Sequence, residues 1–415
     1  MAATSDVFVV DAARTPTGRR QGALAKVHPA DLAAHVLDAL CARNPKSVLA
    51  QVDDVLLGCV TKVGAQSFNI ARSAVLASSH LPESVPASTV DRLCGSSLQA
   101  ITFATHAIAA NQADVLIAGG VENMSMVPIG TDNNTPQELA GKPFNSVGIQ
   151  HKYGDNVNFS QFVGADLLAE RYHITRDEID RYAAESHRRA AAAIARGAHA
   201  GPEIVALENV ATVDGKTAKL VVDETVRPGT TAAKLGKLKV LRDGGKHSAG
   251  SASQVSDGAC ALLLASGRTV NKLHAKPLAR LVAVAAIGSD PVVMLGGPAP
   301  ATVRVLERAR LHLRDIDVFE VNEAFASVPL AWKCEMVKTY GVAESWIMER
   351  LNPNGGAIAL GHPLGATGAK LVTSMLYHLR ATGGRRGLVA VCEGGGTANA
   401  AIFEMVDEAA ERSRL

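Results

Sequence analysis

The chain has 415 residues, of which 47% are hydrophobic and 20% are charged. This composition is typical of globular proteins and excludes extended disorder and collagen-like structure. The 42 Lys and Arg residues nearly balance the 40 Asp and Glu residues, so the net charge of +2 offers no basic excess for binding nucleic acid. The length predicts two or three compact units rather than one.

Targeting signals are sparse in the sequence. No apolar run reaches the roughly 18 residues that a membrane helix needs, and residues 1–6 lack the apolar segment of a signal peptide. We therefore expect a soluble, cytoplasmic protein. The last three residues, Ser413-Arg414-Leu415, resemble a variant peroxisomal address, which leaves the peroxisomal matrix open if the source is eukaryotic.

The six cysteines are widely spaced and form no CxxC pair. This spacing favours neither a disulfide framework nor a metal site, so we expect no metal and mostly buried thiols. Two of the cysteines, Cys94 and Cys392, lie among glycines and need another explanation.

Strands and helices alternate along both ends of the chain, which predicts an α/β architecture with largely buried sheets. In the first part, the pattern predicts strands at 7–10, 55–60 and 114–120 and helices at 31–42 and 95–110. In the last part, it predicts strands at 258–265, 281–287, 318–321 and 388–392, helices at 302–311 and 369–379, and a long glycine-rich loop at 351–368.

The middle of the chain differs in kind. Residues 121–249 are more polar and richer in loops, although Thr175 and Glu178 form the capping box of a predicted helix that ends near Gly197. We interpret this segment as an inserted subdomain. The predicted organisation is therefore an N-terminal domain (1–120 and 250–270), the insertion (121–249) and a C-terminal domain (271–415).

The two flanking domains also echo each other. In each, a strand precedes a glycine-rich loop with a reactive side chain, Cys94 or His362, and the loop feeds a helix and a strand that ends in glycines. The spacings differ, so the echo is structural and not a sequence repeat. It predicts two pseudo-symmetric domains whose glycine-rich loops converge on one site.

Cys94 is predicted to begin a helix, with Gly95 and two serines directly after it. Helix N-terminal N–H groups stabilise a thiolate and can receive an oxyanion on an attached acyl group. A small buried thiol without a role is the alternative.

His362 lies between Gly361 and Pro363 in a glycine-rich stretch, where an imidazole is poorly placed to fill a core. Such a loop allows close approach of a ligand and presents one base, which could activate Cys94. A structural histidine remains the alternative.

Two further groups follow predicted strands, where α/β proteins place ligands. Cys392 precedes Glu393 and three glycines and could move a proton, or have no role. Asn322 could fix a water or an oxyanion, or be an ordinary turn residue.

Taken together, these windows resemble the thiolase family over essentially the whole chain. The motifs Asn-Glu-Ala-Phe-Ala (322–326), Gly-His-Pro (361–363) and Cys-x-Gly-Gly-Gly (392–396) occur in the order typical of that family. The resemblance implies a layered αβαβα fold of two pseudo-symmetric domains with an inserted loop domain that binds coenzyme A. It also implies an assembly of two or four copies.

The resemblance also implies a role for each motif residue. Cys94 would be the nucleophile that carries the acyl group as a thioester, and His362 its base. Cys392 would be the second acid/base, and Asn322 would hold an oxyanion-hole water. The backbone N–H groups of Cys94 and Gly394 would form the other oxyanion hole.

Two weaker matches concern coenzyme A, which is a substrate, so that no cofactor is implied. Ser253 matches a serine at the pantetheine arm, and Arg227 matches an arginine near the nucleotide end. The implied activity is an acyl transfer in which coenzyme A cleaves a 3-ketoacyl-CoA to acetyl-CoA and a shortened acyl-CoA, or the reverse condensation.

Departures from the common pattern bear on the substrate. Phe162-Val163-Gly164 stands where many short-chain thiolases have His-Met-Gly, and Ala398 stands where the family often has glycine. The motif blocks are most similar to those of actinobacterial-type degradative thiolases, so lipid or steroid degradation is favoured over a biosynthetic, acetoacetyl-CoA-forming thiolase. A β-ketoacyl synthase and a non-catalytic acyl-CoA carrier are more remote alternatives.

Overall fold

The structure, a computed structural model, describes residues 5–134, 142–155, 159–199 and 201–406. Its strands are β1 (Val7–Arg14), β2 (Gly18–Arg19), β3 (Val52–Gly58), β4 (Ala87–Val90), β5 (Val115–Asn123), β6 (Leu207–Ala211), β7 (Thr217–Leu220), β8 (Ser256–Ser266), β9 (Ala279–Gly288), β10 (Val318–Val321), β11 (Arg386–Glu393) and β12 (Thr397–Met405).

Helices separate most of these strands. They are α1 (Pro29–Arg43), α2 (Lys46–Leu49), α3 (Ile70–Ala77), α4 (Ser96–Ala109), α5 (Val147–Tyr153), α6 (Gln161–Arg171), α7 (Arg176–Ala195), α8 (Ala232–Leu235), α9 (Gly267–Leu273), α10 (Pro298–Ala309), α11 (Ser327–Tyr340), α12 (Glu344–Arg350), α13 (Ala357–Leu360) and α14 (Thr367–Thr382). No described helix is long and apolar enough to cross a membrane.

The strand order repeats in the two halves of the fold. In the first half, β3 runs parallel to β5, and β8 pairs antiparallel with both β5 and β1. In the second half, β10 runs parallel to β11, and β12 pairs antiparallel with both β11 and β9. Only two residue pairs, Phe8–Arg280 and Val9–Ala279, join the halves between β1 and β9. The predicted pair of pseudo-symmetric α/β halves is confirmed.

Three apolar clusters define the layers. The middle cluster contains Leu98 and Ile101 of α4, Val372 of α14, and residues of both sheet halves such as Leu262 and Val389. Helices α1 and α3 cover the first half from outside, and α10 and α11 cover the second. Helices and sheets therefore alternate as helix, sheet, helix, sheet, helix, which confirms the expected αβαβα layers.

The segment between β5 and β8 holds α5 to α8 and the small antiparallel β6–β7 sheet. The predicted capping box is present, because Thr175 accepts a bond from the backbone of Glu178 while the Glu178 side chain returns one. Strand β5 continues to Asn123, so its last three residues fall within the predicted insertion. The exact domain boundaries stay a prediction.

The structure adds elements to the region after α12. The predicted loop at 351–368 contains helix α13 and a 3₁₀ turn at Leu364–Ala366. The apolar side chains of both segments are buried, and their backbone N–H groups form local hydrogen bonds. Strand β12 was not predicted. It turns back from β11 through Gly395 and Gly396, which have φ angles of +70° and +75°. The C-terminal Ser413-Arg414-Leu415 lies outside the described residues.

Candidate active site

Cys94 lies in the short connection from β4 to α4, just before the first turn of that helix. Its neighbour Leu93 has a φ of +48°, a conformation that L-residues rarely adopt and that is enriched at functional sites. The side chain of Leu93 lies against Gly394, where an added Cβ would be 2.6 Å from the Leu93 Cδ1 atom. This geometry holds the half-buried Cys94 thiol next to the loop after β11.

Opposing effects act on the Cys94 thiol. Burial and the nearby Glu393 carboxylate raise its pKa to about 12, whereas the backbone N–H groups of Cys94 and Gly394, which donate to the sulfur, lower it. The N–H groups favour a thiolate, as expected, but burial and the Glu393 carboxylate together raise the pKa of the thiol by more than these N–H groups lower it. The free thiol is therefore the resting form, and a base must remove its proton.

Cys392 lies at the end of β11 and is fully buried. Burial is the main reason that its pKa lies well above the ordinary value, and the proximity of Cys94 is the second. The backbone N–H of Ala324, in the Asn-Glu-Ala-Phe-Ala segment, donates to its sulfur. The two thiols therefore occupy one site.

His362 is 3% exposed, and its ring is held through Nδ1. Its Nδ1 atom is 2.6 Å from Thr367 Oγ1, and that hydroxyl lies 2.9 Å from the carbonyl oxygen of Pro363, to which it donates. Because the hydroxyl has only one proton, Nδ1 is the donor to Thr367, and Nε2 keeps its lone pair. Burial and the charge of Lys370 lower the pKa of His362 to about 3. The imidazole is therefore neutral, with Nε2 free to act as a base.

Asn322 follows β10 and reaches the same ring. Its Nδ2 atom is 3.4 Å from His362 Nε2, while its Oδ1 atom is buried and has no hydrogen-bond partner among the described residues. Its backbone N–H donates to the carbonyl oxygen of Ala390 on β11, at 3.0 Å. Since buried polar atoms normally have partners, this amide is suited to hold a water or part of a substrate.

Three glycines allow the loop that carries His362 to pack closely against the first half of the fold. An added Cβ on Gly120 would lie 2.0 Å from the carbonyl oxygen of Gly365, and one on Gly58 would lie 2.7 Å from it. The backbone N–H of Gly365 also donates to the buried Glu122 carboxylate at 2.9 Å. The loop that carries His362 therefore packs directly onto the strand ends beside Cys94.

The two coenzyme A candidates lie next to this assembly. The Ser253 backbone N–H donates to the carbonyl oxygen of Ala324 at 2.9 Å, so this half-buried residue borders the catalytic candidates. Arg227 is exposed, and its guanidinium donates to Gln254 Oε1 at 3.2 Å. The structure thus brings both residues to one edge of the site, and their binding roles stay predictions.

Two functional residues escaped the sequence analysis. Thr367, which fixes the tautomer of His362, lies in the Gly-His-Pro stretch and could have been found there as a hydroxyl five residues after the histidine. Glu393 lies inside the Cys-x-Gly-Gly-Gly motif at its variable position. No sequence signal shows that its carboxylate is buried beside the nucleophile.

Other features of the structure do not mark the site. A cleft of about 720 Å³ lies between α6, α10 and α11, and its lining includes none of the five catalytic candidates. Among the described residues, no cluster of three or more His, Cys, Asp or Glu side chains could hold a metal ion. The active site is located by the convergence of its side chains rather than by cavity size.

Comparisons with known proteins agree with this geometry. The family models described as "Thiolase, N-terminal domain" and "Thiolase, C-terminal domain" match residues 7–268 and 275–405. A steroid 3-ketoacyl-CoA thiolase of Mycobacterium tuberculosis is 46% identical over 405 residues, covering 97% of this chain and 95% of the relative. A β-ketoadipyl-CoA thiolase of Acinetobacter baylyi is 41% identical over 416 residues, covering 96% and 99%. The crystal structure of human mitochondrial 3-ketoacyl-CoA thiolase superposes with a TM-score of 0.82 at 35% identity, covering 97% and 99%.

Proposed function

Because the chain belongs to the thiolase family of acyltransferases, we propose that it cleaves 3-ketoacyl-CoA esters with coenzyme A, in degradation rather than in synthesis. The observation that carries the proposal is the meeting of two thiols, a neutral imidazole and an amide oxygen that has no partner among the described residues at one site. Names of relatives, including the steroid and 3-ketoacyl-CoA thiolases, support the degradative direction.

The first half of the proposed reaction forms the acyl-enzyme. Cys94 attacks the keto carbon of the substrate as its proton passes to His362 Nε2. The backbone N–H groups that donate to the Cys94 sulfur would receive the oxyanion that forms on the attached acyl group. The carbon–carbon bond then breaks, and Cys392 gives its proton to the departing acetyl-CoA enolate.

The second half returns the enzyme to its starting state. The thiol of coenzyme A loses its proton to the Cys392 thiolate and attacks the thioester on Cys94. The Cys94 sulfur leaves and recovers the proton from His362, so that all protons balance. Ser253 and Arg227 would hold the pantetheine arm and the nucleotide end, and no cofactor takes part.

The acyl group is expected to be larger than an acetyl group. The ring of Phe162, on α6, lies 5.7 Å from that of Phe325 in the Asn-Glu-Ala-Phe-Ala segment and is 43% exposed. It therefore offers apolar surface beside the reacting groups, which an acyl chain or a ring system can cover. The β-ketoadipyl-CoA relative makes a dicarboxylic acyl group a specific second candidate.

A substrate series tests the proposal. Thiolysis would be measured as release of acetyl-CoA from 3-ketoacyl-CoA esters with four to sixteen carbons, a steroid side-chain ester and β-ketoadipyl-CoA. We expect the highest kcat/KM for a substrate longer than acetoacetyl-CoA. Without free coenzyme A, release of acetyl-CoA should stop after a single turnover, because the acyl group then stays on Cys94. A preference for acetoacetyl-CoA, or for condensation of acetyl-CoA, would favour the biosynthetic alternative. Continued release of acetyl-CoA over many turnovers without coenzyme A would contradict a thiolase.

Assembly and location complete the proposal. We expect a homodimer or homotetramer, which sedimentation at several protein concentrations would test. A cytoplasmic location fits the bacterial sources of the curated relatives, which give no support to a peroxisomal address.

A further inference from the structure

Glu393 is a buried acid directly behind the nucleophile. It follows Cys392 on β11 and has no exposed surface. An added Cβ on Gly95 would lie 1.9 Å from the Glu393 Oε1 atom, so the carboxyl group rests against the backbone of the residue after Cys94. The absence of a side chain at Gly95 gives the carboxyl group this position.

The carboxyl group is only half satisfied. Its Oε2 atom accepts a bond from Thr397 Oγ1 at 2.6 Å, whereas its Oε1 atom has no hydrogen-bond partner among the described residues. Burial raises the pKa of Glu393 to about 7, against the opposing effects of Thr397 and Arg92. A carboxyl group with one unpaired buried oxygen is easier to keep as the neutral acid than as the anion.

The groups around Glu393 define its electrostatic setting. Arg92 is a cation that faces it, and the buried Arg92 Nε atom finds no hydrogen-bond partner within the part of the chain that the structure describes. The neutral Thr397 of β12 donates to Glu393, and Asn399 of the same strand donates to the carbonyl oxygen of Gly95. The titratable groups that sense its charge are the thiols of Cys94 and Cys392.

Ionised Glu393 opposes the Cys94 thiolate. Among the charged groups that act on the Cys94 thiol, Glu393 has the largest effect, and it raises the pKa of that thiol. A carboxylate at the start of α4 also competes with the thiolate for the positive end of the same helix. Two anions side by side in a buried setting cannot both form easily, so their titrations are coupled.

We propose that Glu393 sets the reactivity of the nucleophile: Cys94 loses its proton readily while Glu393 is protonated, and ionisation of Glu393 suppresses the thiolate. Glu393 is thus a positioning residue that acts through Cys94, and its ionisation makes the reactivity of Cys94 depend on pH. This inference rests on the proposed role of Cys94 as nucleophile.

Alkylation of Cys94 by iodoacetamide, mapped by peptide mass spectrometry, tests the proposal in wild type and Glu393→Gln. Glutamine keeps the shape of the side chain and its acceptor for Thr397 but cannot ionise. At about pH 6 both proteins should react at similar rates, and the ratio of variant to wild type should rise to about three- to tenfold by pH 8.5, since one pKa unit is a tenfold change. The midpoint of the rise should lie near pH 7, where Glu393 titrates.

Two controls keep the outcome interpretable. Glu404→Gln removes a carboxylate from β12 that pairs with Arg386 away from the site, and it should leave the ratio at one. Thr397→Val removes the donor to Glu393, which destabilises the anion and should move the suppression of Cys94 alkylation to higher pH. This second variant tests the idea even if Glu393→Gln fails to fold.

A ratio for Glu393→Gln that is constant over this pH range, or below one, would overturn the proposal. Failure of the proposed function would look different. In that case no 3-ketoacyl-CoA would be cleaved by wild type, while the alkylation rates of Cys94 would still report on Glu393.

Discussion

The Nδ1 atom of His362 lies 2.6 Å from the hydroxyl of Thr367, which in turn donates to the carbonyl oxygen of Pro363. This short relay decides which ring nitrogen carries the proton. It leaves Nε2, the nitrogen beside Asn322, as the basic atom. The base is therefore oriented by its own loop, without help from a carboxylate.

Thr367→Val should impair catalysis through the tautomer of His362. Valine has nearly the same shape but cannot accept a hydrogen bond from Nδ1–H, so Nε2 is no longer held as the unprotonated nitrogen. A lost buried hydrogen bond is worth about 1–3 kcal/mol, and we expect kcat/KM to fall about 10- to 100-fold. Thr367→Ser keeps the hydroxyl and should stay close to wild type. Equal rates for the valine and serine variants would exclude this role.

Cys94→Ala should abolish thiolysis and the acyl-enzyme together. Cys392, the other thiol of the site, is fully buried, whereas the Cys94 thiol is half-buried, so we do not expect Cys392 to replace Cys94 as the acceptor of the acyl group. Mass spectrometry of protein mixed with 3-ketoacyl-CoA, without free coenzyme A, measures the adduct. Cys334→Ala, on α11, is the matched control and should acylate normally. An adduct on a peptide without residue 94 in wild type would disprove the assignment.

Asn322→Ala should lower turnover about 10²- to 10³-fold, the usual scale for one group that stabilises an oxyanion. Folding should change little, because the amide oxygen has no partner among the described residues and its nitrogen makes only the 3.4 Å contact with His362. Turnover and thermal unfolding would be measured on the same preparation. An unchanged rate would mean that Asn322 is only a turn residue, without a catalytic role.

Phe162→Ala should weaken the preference for large substrates. The exposed part of this ring offers apolar surface near Phe325, and its loss should cost a long acyl chain about 1–2 kcal/mol. We expect kcat/KM to fall about tenfold for the best long-chain substrate and little for acetoacetyl-CoA. Phe103→Ala, which truncates a similarly exposed ring on α4, is the control. A uniform loss over all chain lengths would argue against contact with the acyl group.

Glu203→Gln should destabilise the protein at neutral pH. The buried Arg14 guanidinium lies 2.8 Å from Glu203 and 2.8 Å from Asp223, and so ties the insertion to β1. Breaking a buried ion pair on one side costs about 3 kcal/mol. Glu208→Gln, at an exposed position of β6, removes a surface pair with Lys219 and should cost less than about 1 kcal/mol.

The pH dependence of this loss has a definite sign. Although burial acts in the opposite direction, Arg14 and the other partners of Glu203 lower its pKa to about 2, below the value of about 4.3 for an unfolded chain. The stabilisation is therefore complete above about pH 5 and is lost as the pH falls towards 2. Urea unfolding at several pH values should show wild type and Glu203→Gln converging in acid. A gap that stays constant with pH would contradict the charged pair.

Local patterns account for the elements and motifs that could be predicted. The capping box of Thr175 and the buried strands carry their own signals, and the motif order identified Cys94, His362, Asn322 and Cys392. The burial of Glu393 against Gly95 could not be predicted, because it depends on the register between β11 and the start of α4. Strand β12 escaped for a similar reason, since Asn399 and its neighbours become a strand only through pairing with β9 and β11.

The contact of Gly365 with Gly58 and Gly120 makes catalysis a property of the whole chain. One half supplies the strand ends and Cys94, the other supplies the loop with His362, and any side chain at these three glycines would force the halves apart. During refolding, activity should therefore return only after both halves have docked, later than the recovery of helix and strand content. For the same reason, halves exchanged between relatives should yield an active enzyme only where all three glycines face one another.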